Sequence, residues 1–114
     1  MVKDILIEIV ESTGVTCLYA QSYPQEPLEN YVTFYCQSSE DIAIFDNHRK
    51  ITAWSFEVCY FDDNPKRRED YKYTLREALE KAGFFTDGIG WDILKNEVVE
   101  KNGFSMSFTY LEKI

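Results

Sequence analysis

Histidine and cysteine are the residue types best suited to nucleophilic or metal chemistry, and both are scarce in this chain. The single histidine, His48, lies in a polar stretch near Asp46, and Cys17, Cys36 and Cys59 are widely spaced. A Cys–His nucleophile needs a third group to orient its base, and no such motif is present. No C-x-x-C pair suggests zinc or redox work. We expect His48 to be a solvated loop residue and the cysteines to be small buried apolar residues in a reduced, intracellular protein.

Acidic pairs and glycines are the other candidates for chemistry. Asp62 with Asp63, or Asp41 with Asp46, could offer oxygen ligands to a hard cation, but neither pair fits a calcium-loop pattern. Helix caps and turns account for aspartate at such positions. The stretch at 88–90, Gly-Ile-Gly, lacks the third glycine of a dinucleotide fingerprint, and no phosphate-binding Gly-Lys-Ser/Thr follows it. We therefore expect no catalytic residue, no metal, no cofactor and no enzyme activity.

Length and charge set broader limits. The 114 residues suit a single domain, 1–114, that is long enough to bury a real core. The net charge of −8 repels phosphate backbones, and the only dense basic cluster is Lys66-Arg67-Arg68. The acidic excess favours either simple solubility or a surface past which nucleic acid slides without sticking. The sequence predicts neither a signal peptide nor a membrane-spanning segment.

The first third of the chain predicts one helix and a short strand. Apolar residues at positions 2, 5, 6, 9 and 10 follow the spacing of an amphipathic helix, and Gly14 ends it. Residues 15–21 favour a strand, and the segment 23–27, Tyr-Pro-Gln-Glu-Pro, predicts an extended loop. Strand alternation follows at 31–36.

The middle of the chain predicts the central strand of the sheet. We expect a polar break at 38–41, a short apolar segment at 42–45 and a polar loop at 46–50. Residues 51–61 then alternate over a long strand, with Phe56, Val58 and Tyr60 on one face.

The last third predicts a helix and a hairpin. Asn64 or Asp63 can cap a helix over 65–82 that begins at Pro65 and ends before Gly83. Strands near 91–94 and 104–110 should pair, with Asn102-Gly103 as their turn. The order of helix, strands, helix and strands predicts an α+β fold, with a mostly antiparallel sheet packed by two helices.

Aromatic residues are more numerous on the predicted strands than one covered face requires. Tyr31, Tyr35, Phe45, Phe84 and Phe85 make both faces of the sheet partly apolar. Two explanations stay open: helices cover both faces, or some aromatic surface is kept for a partner subunit.

Five stretches, spread over nearly the whole chain, carry a family resemblance. They are the N-terminal helix, the proline loop leading into YVTFY at 31–35, Asp46-Asn47 ahead of a strand ending in VCYF at 58–61, YTLREALE at 73–80 and GFSMSFTYL at 103–111. In element order and loose motif this chain resembles the small tail-terminator or head–tail completion proteins of long-tailed bacteriophages and prophages.

The resemblance implies an α+β sandwich whose copies form a ring, expected to be a hexamer, that caps the tail tube and meets the head connector. DNA at most passes through such a ring, no membrane is involved, and the acidic Asp62-Asp63 turn could face the lumen. The protein would occupy the host cytoplasm during assembly and then the virion tail or neck. By position, ring or tube contacts would fall on two loops, with candidate residues Tyr23, Glu26, Asn30, Tyr31, Asp46, Asn47, His48, Arg49 and Lys50.

Two rival classes stay open beside the phage protein. One is a cytosolic α+β binding or adaptor module without catalytic activity, which would not form rings. The other is a small enzyme, which would need a pocket that brings His48 together with a cysteine or two carboxylates.

Overall fold

A computed structural model describes residues 2–19, 28–45, 49–86, 88–97 and 99–113. Within these ranges lie two helices and six strands. In chain order they are α1 (Val2–Ser12), β1 (Cys17–Tyr19), β2 (Asn30–Phe45), β3 (Arg49–Asp62), α2 (Pro65–Lys81), β4 (Phe84–Phe85), β5 (Trp91–Ile93) and β6 (Gly103–Lys113). The fold is α+β, as the sequence predicts.

The six strands form one mostly antiparallel sheet. Its order is β1-β2-β3-β6-β4, and β5 pairs with the same side of β6 as β4 does. Only β1 and β2 run parallel. The strand β3 lies between the two longest partners, so the prediction of a central strand at 51–61 is confirmed, with bounds two residues earlier and one later.

The core lies between one face of this sheet and the two helices. Alternate residues of β2, β3 and β6 contribute to it where the helices cover these strands, because alternate side chains of a strand point to the same face. The fully buried large side chains include Phe34, Phe56, Tyr60, Phe104 and Phe108. Aromatic contacts link them across strands, with 6.3 Å between the ring centroids of Phe34 and Phe56.

Both helices follow their sequence patterns. In α1, Val2, Leu6 and Val10 are buried, and Gly14 after it has the left-handed φ of 90° that ends a helix without strain. In α2, the Asn64 side chain accepts a hydrogen bond from the Arg67 N–H, so the predicted cap is confirmed. Tyr71, Leu75 and Leu79, which lie on one face of the helix, are buried, and the helix ends one residue before the predicted 82.

The sequence suggested a break at residues 38–41, and this prediction is wrong. The strand β2 runs unbroken from Asn30 to Phe45 and absorbs irregularity as two bulges, between Cys36 and Ser38 and between Asp41 and Ala43. Pairing with β3 holds the polar residues in strand conformation. Their side chains are exposed to solvent, so no polar group has to be buried to form this part of the strand. Of the loop predicted at 46–50, Arg49 and Lys50 instead belong to β3, and residues 46–48 lie outside the described residues.

Asn102-Gly103 is not a two-residue hairpin turn. The strands β5 and β6 do form an antiparallel pair, but residues 94–102 connect them. Gly103 is already paired within β6, and a Cβ there would lie 2.1 Å from the Tyr60 carbonyl oxygen. Asn102 instead organises the connection, because its side chain accepts from the Lys95 N–H at 2.8 Å. Glycine is needed here for close backbone approach rather than for a turn.

Candidate functional site

The three longest strands continue beyond the helices. We call this part, formed by residues 39–45, 49–53 and 111–113, the ribbon end. The part covered by α2 ends where Phe84 pairs with Tyr110, which in turn pairs with Trp54. From there β2 continues for about 20 Å, from Ser39 to Phe45. The molecule measures 50 × 25 × 23 Å, with a radius of gyration of 15.1 Å. A compact chain of this length would have about 13 Å, so the ribbon end makes the molecule elongated.

Polar contacts and exposed apolar residues share the ribbon end. Thr52 Oγ1 donates to Asp41 Oδ1 at 2.8 Å, and Trp54 Nε1 donates to Glu112 Oε1 at 3.1 Å. These bonds tie each outer strand to β3. Ile42 is 51% exposed, and Leu111 is also exposed. A large aliphatic side chain on a projecting ribbon without a helix against it is a feature of contact surfaces.

The face of the sheet opposite the helices is polar at its centre. We call it the open face. Glu57 accepts hydrogen bonds from the Tyr35 hydroxyl and from Ser105 Oγ, the latter at 2.8 Å. Cys59 Sγ donates to the same Ser105 oxygen at 3.5 Å. Hydrogen bonding to Glu57 raises the pKa of Tyr35, and burial raises the pKa of the Cys59 thiol. Both groups therefore stay protonated at neutral pH, and the hydrogen bonds join β2, β3 and β6 across the open face.

A depression of about 330 Å³ lies at the β4–β5 side of the open face. We call it the notch. Phe85, 45% exposed, and Trp91, 52% exposed, flank it, and the hydroxyl-bearing Ser107 and Thr109 of β6 lie between them. The remaining described lining residues are Thr86, Gly88 and Gly90. No described lining residue carries a charge, so this is an aromatic site with a neutral polar floor.

The notch exists because β4 and β5 pair with separated parts of β6. Phe85 pairs with Thr109, whereas Trp91 pairs with Ser105, four residues back along β6. The chain crosses this gap through Gly90, which has a φ of 74° and would place a Cβ 1.7 Å from the Ser105 carbonyl oxygen. Only glycine allows the crossing to return this closely to the sheet.

A buried lysine holds β5 from the helix side. Lys72 Nζ contacts Glu69 Oε1 and Asp92 Oδ1, both at 3.1 Å, and lies 5.7 Å from the centre of the Phe104 ring. Burial by itself would lower the pKa of Lys72, but the hydrogen bonds to Asp92 and Glu69 outweigh it and raise the pKa. The ammonium group therefore stays charged and fixes the strand that carries Trp91.

The basic cluster at the start of α2 is engaged within the molecule. Arg67 binds the fully buried Asp62 through two nitrogens, and its NH1 lies 3.6 Å from Glu29 Oε2. Lys66 Nζ lies 3.3 Å from Asp70 Oδ2, and Arg68 NH1 donates to the Asp62 carbonyl at 2.8 Å. Asp62 is buried and Asp63 is exposed, so within the Asp62-Asp63 turn only the Asp63 side chain is placed where it could face a lumen. Arg67 and Arg68 therefore stabilise the junction of β3 and α2, while Lys66 pairs within the helix.

The predicted interface residues divide into described and undescribed ones. Asn30 Nδ2 donates to the Tyr60 hydroxyl at 3.0 Å, and the Tyr31 ring lies 5.3 Å from that of Phe61. Both residues are half-buried, so their contacts are at least partly structural. Arg49 and Lys50 lie at the tip of the ribbon end, paired with Phe45 and Ile44. Five further candidates lie outside the described residues, namely Tyr23, Glu26, Asp46, Asn47 and His48.

The candidates for chemistry are not brought together in the described ranges. Cys17 is buried, and burial raises its pKa to about 12, as expected of a small apolar residue. Cys36 and Cys59 are only partly buried, less than predicted. In the part of the chain that the structure describes, no group of three or more His, Cys, Asp or Glu side chains could hold a metal ion.

Sequence reasoning found the surplus of aromatic residues but not its location. Phe84 is buried, Tyr31 is half-buried, and Tyr35 and Phe85 are exposed on the open face, while the Phe45 side chain is outside what the structure describes. Among the described residues both helices lie on one face of the sheet. Part of the aromatic surplus is therefore open to solvent. The signal for the notch that the sequence did offer is the closeness of Phe85 and Trp91 to two glycines, Gly88 and Gly90.

Comparison with protein-family models and with curated proteins finds no match to this chain. Neither described helix combines the length and the apolar character that crossing a bilayer requires. The fold and the two surfaces, the ribbon end and the notch, are therefore the basis for functional inference.

Proposed function

We propose that this protein is a structural subunit that assembles with copies of itself into a ring, as a tail terminator or head–tail joining protein of a long-tailed phage or prophage. The ring, with a hexamer as the expected size, would cap the tail tube and connect it to the head. The observation that carries this proposal is the ribbon end. It projects past the helices and exposes two aliphatic residues, Ile42 of β2 and Leu111 of β6.

The physical reason is that a ribbon of strands without an element packed against it is only marginally stable. Strands gain stability when an apolar face packs against another element, and the ribbon end has no helix against it in the described ranges. A second copy could supply that packing. Because the open face and the ribbon end are different surfaces, contacts between them would be heterologous, and heterologous contacts close into rings when the rotation allows.

Charge supports the same proposal. The dense basic cluster is used in internal ion pairs, while the chain carries a net charge of −8. A ring of such subunits would carry a strongly negative potential and would repel the phosphates of DNA passing through it. Capping requires no catalytic group, because a terminator acts by binding the last tube ring better than another tube subunit does.

Negative-stain imaging of the concentrated protein tests the proposal directly. We expect closed rings of uniform diameter, which bind one end of tail tubes when tubes are added. Filaments, irregular aggregates or only small particles, with no binding to tube ends, would contradict it.

The notch favours a second candidate, an α+β binding or adaptor module without catalytic activity. An aromatic depression with a neutral polar floor suits an extended peptide from a partner protein. Such a module would stay monomeric while binding its partner, which separates it from a ring subunit.

A further inference from the structure

The notch has the dimensions of a binding site for two prolines. Its aromatic residues pair with β6 at Thr109 and Ser105, so their backbone positions lie about 13 Å apart along the strand. A polyproline II segment rises about 3.1 Å per residue, which separates the prolines of P-x-x-P by about 9 Å. Both prolines therefore fit between Phe85 and Trp91, where each can contact one ring. The hydroxyls of Ser107 and Thr109 can then bind the peptide's backbone carbonyls.

This chain carries one such segment itself. Pro24 and Pro27 form a P-x-x-P motif, and the third proline, Pro65, is in the first turn of α2. Grooves with aromatic walls recognise P-x-x-P because the polyproline II conformation is already formed and little entropy is lost on binding.

The segment cannot reach the notch of its own molecule. Pro27 is three positions before Asn30, with two residues between them, and three residue steps span at most about 11 Å. Tyr35, Glu57 and Ser107 lie side by side on β2, β3 and β6, so Ser107 is two strands across from β2. It is also five residues along from Asn30, which gives a separation of about 19 Å. The segment that occupies a notch must therefore come from a different copy.

We propose that the notch binds residues 24–27 of a neighbouring copy of this chain. The inference deepens the proposed ring function and rests on it, because it names a contact, in addition to the ribbon end, through which copies associate. The notch and the segment are different parts of the molecule, so each copy offers one and accepts the other. That is the heterologous arrangement from which rings are built.

Peptide binding tests the notch apart from any assembly. The protein is prepared as Pro24→Ala/Pro27→Ala, so that its own segment does not compete, and is titrated with a synthetic peptide of residues 20–28. We expect saturable changes in the NMR signals of Trp91, Phe85 and Ser107, with a Kd of about 1 mM or tighter. The matched control is the same peptide with both prolines replaced by alanine, which should leave these signals unchanged.

A second variant tests the assignment to this surface. Trp91→Ala in the same protein should weaken peptide binding about tenfold or more. The indole signal of Trp54, which lies on the other face of the sheet, reports whether the fold is intact. Equal shifts with both peptides, or binding that is unaffected by Trp91→Ala in a folded protein, would overturn the proposal.

The oligomeric state separates the two proposals. Rings formed by the wild type and lost in Pro24→Ala/Pro27→Ala would support both. Rings that persist in that variant would overturn the notch contact and leave the ring function standing. Specific peptide binding by a protein that never forms rings would support the notch as a proline-segment site and contradict the ring.

Discussion

Single side chains at the junction of β3 and α2 determine how the helix attaches to the sheet. Asp62 is fully buried and accepts hydrogen bonds from Tyr60, Arg67 and the Asn64 N–H. Burial alone would raise the pKa of Asp62, but the bonds from Arg67 and Tyr60 outweigh it and lower the pKa to about 2. The carboxylate therefore stabilises the folded state in its charged form.

We predict that Asp62→Asn lowers the free energy of unfolding by about 1–3 kcal/mol at neutral pH, because a charged acceptor is lost while Arg67 keeps its charge. A depressed pKa adds stability that is present above the ordinary aspartate pKa of about 3.9 and is lost as the pH falls toward 2. The difference between the variant and the wild type should therefore shrink between about pH 4 and 2 in urea titrations.

The exposed Asp70→Asn is the matched control for Asp62. Its partner Lys66 is also exposed, so the change should cost only about 0–0.5 kcal/mol. Equal losses for the two variants would contradict the role assigned to Asp62.

Two neighbouring glycines give a second prediction at the residue scale. Gly90→Ala combines a left-handed φ with a clash against the Ser105 carbonyl, and should cost about 2–4 kcal/mol. Gly88→Ala meets nothing within 4 Å and should change stability by less than about 0.5 kcal/mol. Thermal unfolding of both variants checks this. A neutral Gly90→Ala would mean that the chain does not cross close to β6 there.

At the scale of the elements, the helices were the most predictable part. Asn64 before Pro65 and the Tyr71, Leu75, Leu79 stripe are local signals, and local geometry sets a helix. The strand β2 was predicted as two pieces because its polar middle carries no local strand signal. Its polar residues 38–41 pair with β3 residues 11 to 17 positions further along the chain, and that pairing decides the outcome. The nine-residue connection after β5 was missed for the same reason, because Asn102-Gly103 resembles a turn locally.

The cap of α2 can be tested by substitution. Asn64→Ala should cost about 1 kcal/mol, since the Arg67 N–H loses its side-chain acceptor. Asn64→Ser keeps an acceptor at this position and should be within a few tenths of the wild type. Urea denaturation measures both. If the alanine and serine variants had the same stability, the cap would not contribute as described.

The ribbon end gives a prediction about association rather than stability. Ile42→Asp places a charge on an exposed position of β2, so we expect little change in unfolding but a weaker tendency to assemble, by about tenfold or more. Leu94→Asp is the matched control, because Leu94 is exposed in the connection after β5. Sedimentation velocity at several concentrations compares the two. Equal association of both variants would exclude Ile42 from the contact.

At the scale of the whole molecule, fold and function differ in how far the sequence predicts them. The α+β class, the central strand and the covered face follow from periodicity, since burial of alternate residues leaves a pattern in the chain. The two surfaces on which the proposed functions rest leave no such pattern. The notch arises from where Phe85 and Trp91 pair along β6, and the ribbon end from strands that continue past the helices. Both are set by long-range register.

The central claim is that copies of this chain assemble into a ring, and the mass in solution tests it most directly. Size exclusion coupled to light scattering would be run over a concentration series of the wild type, with Ile42→Asp alongside. Six chains of 13.4 kDa give about 80 kDa, and we predict a species of this mass, or growth toward it, that is reduced in the variant. A mass of 13.4 kDa at every concentration, identical for wild type and variant, would contradict the account.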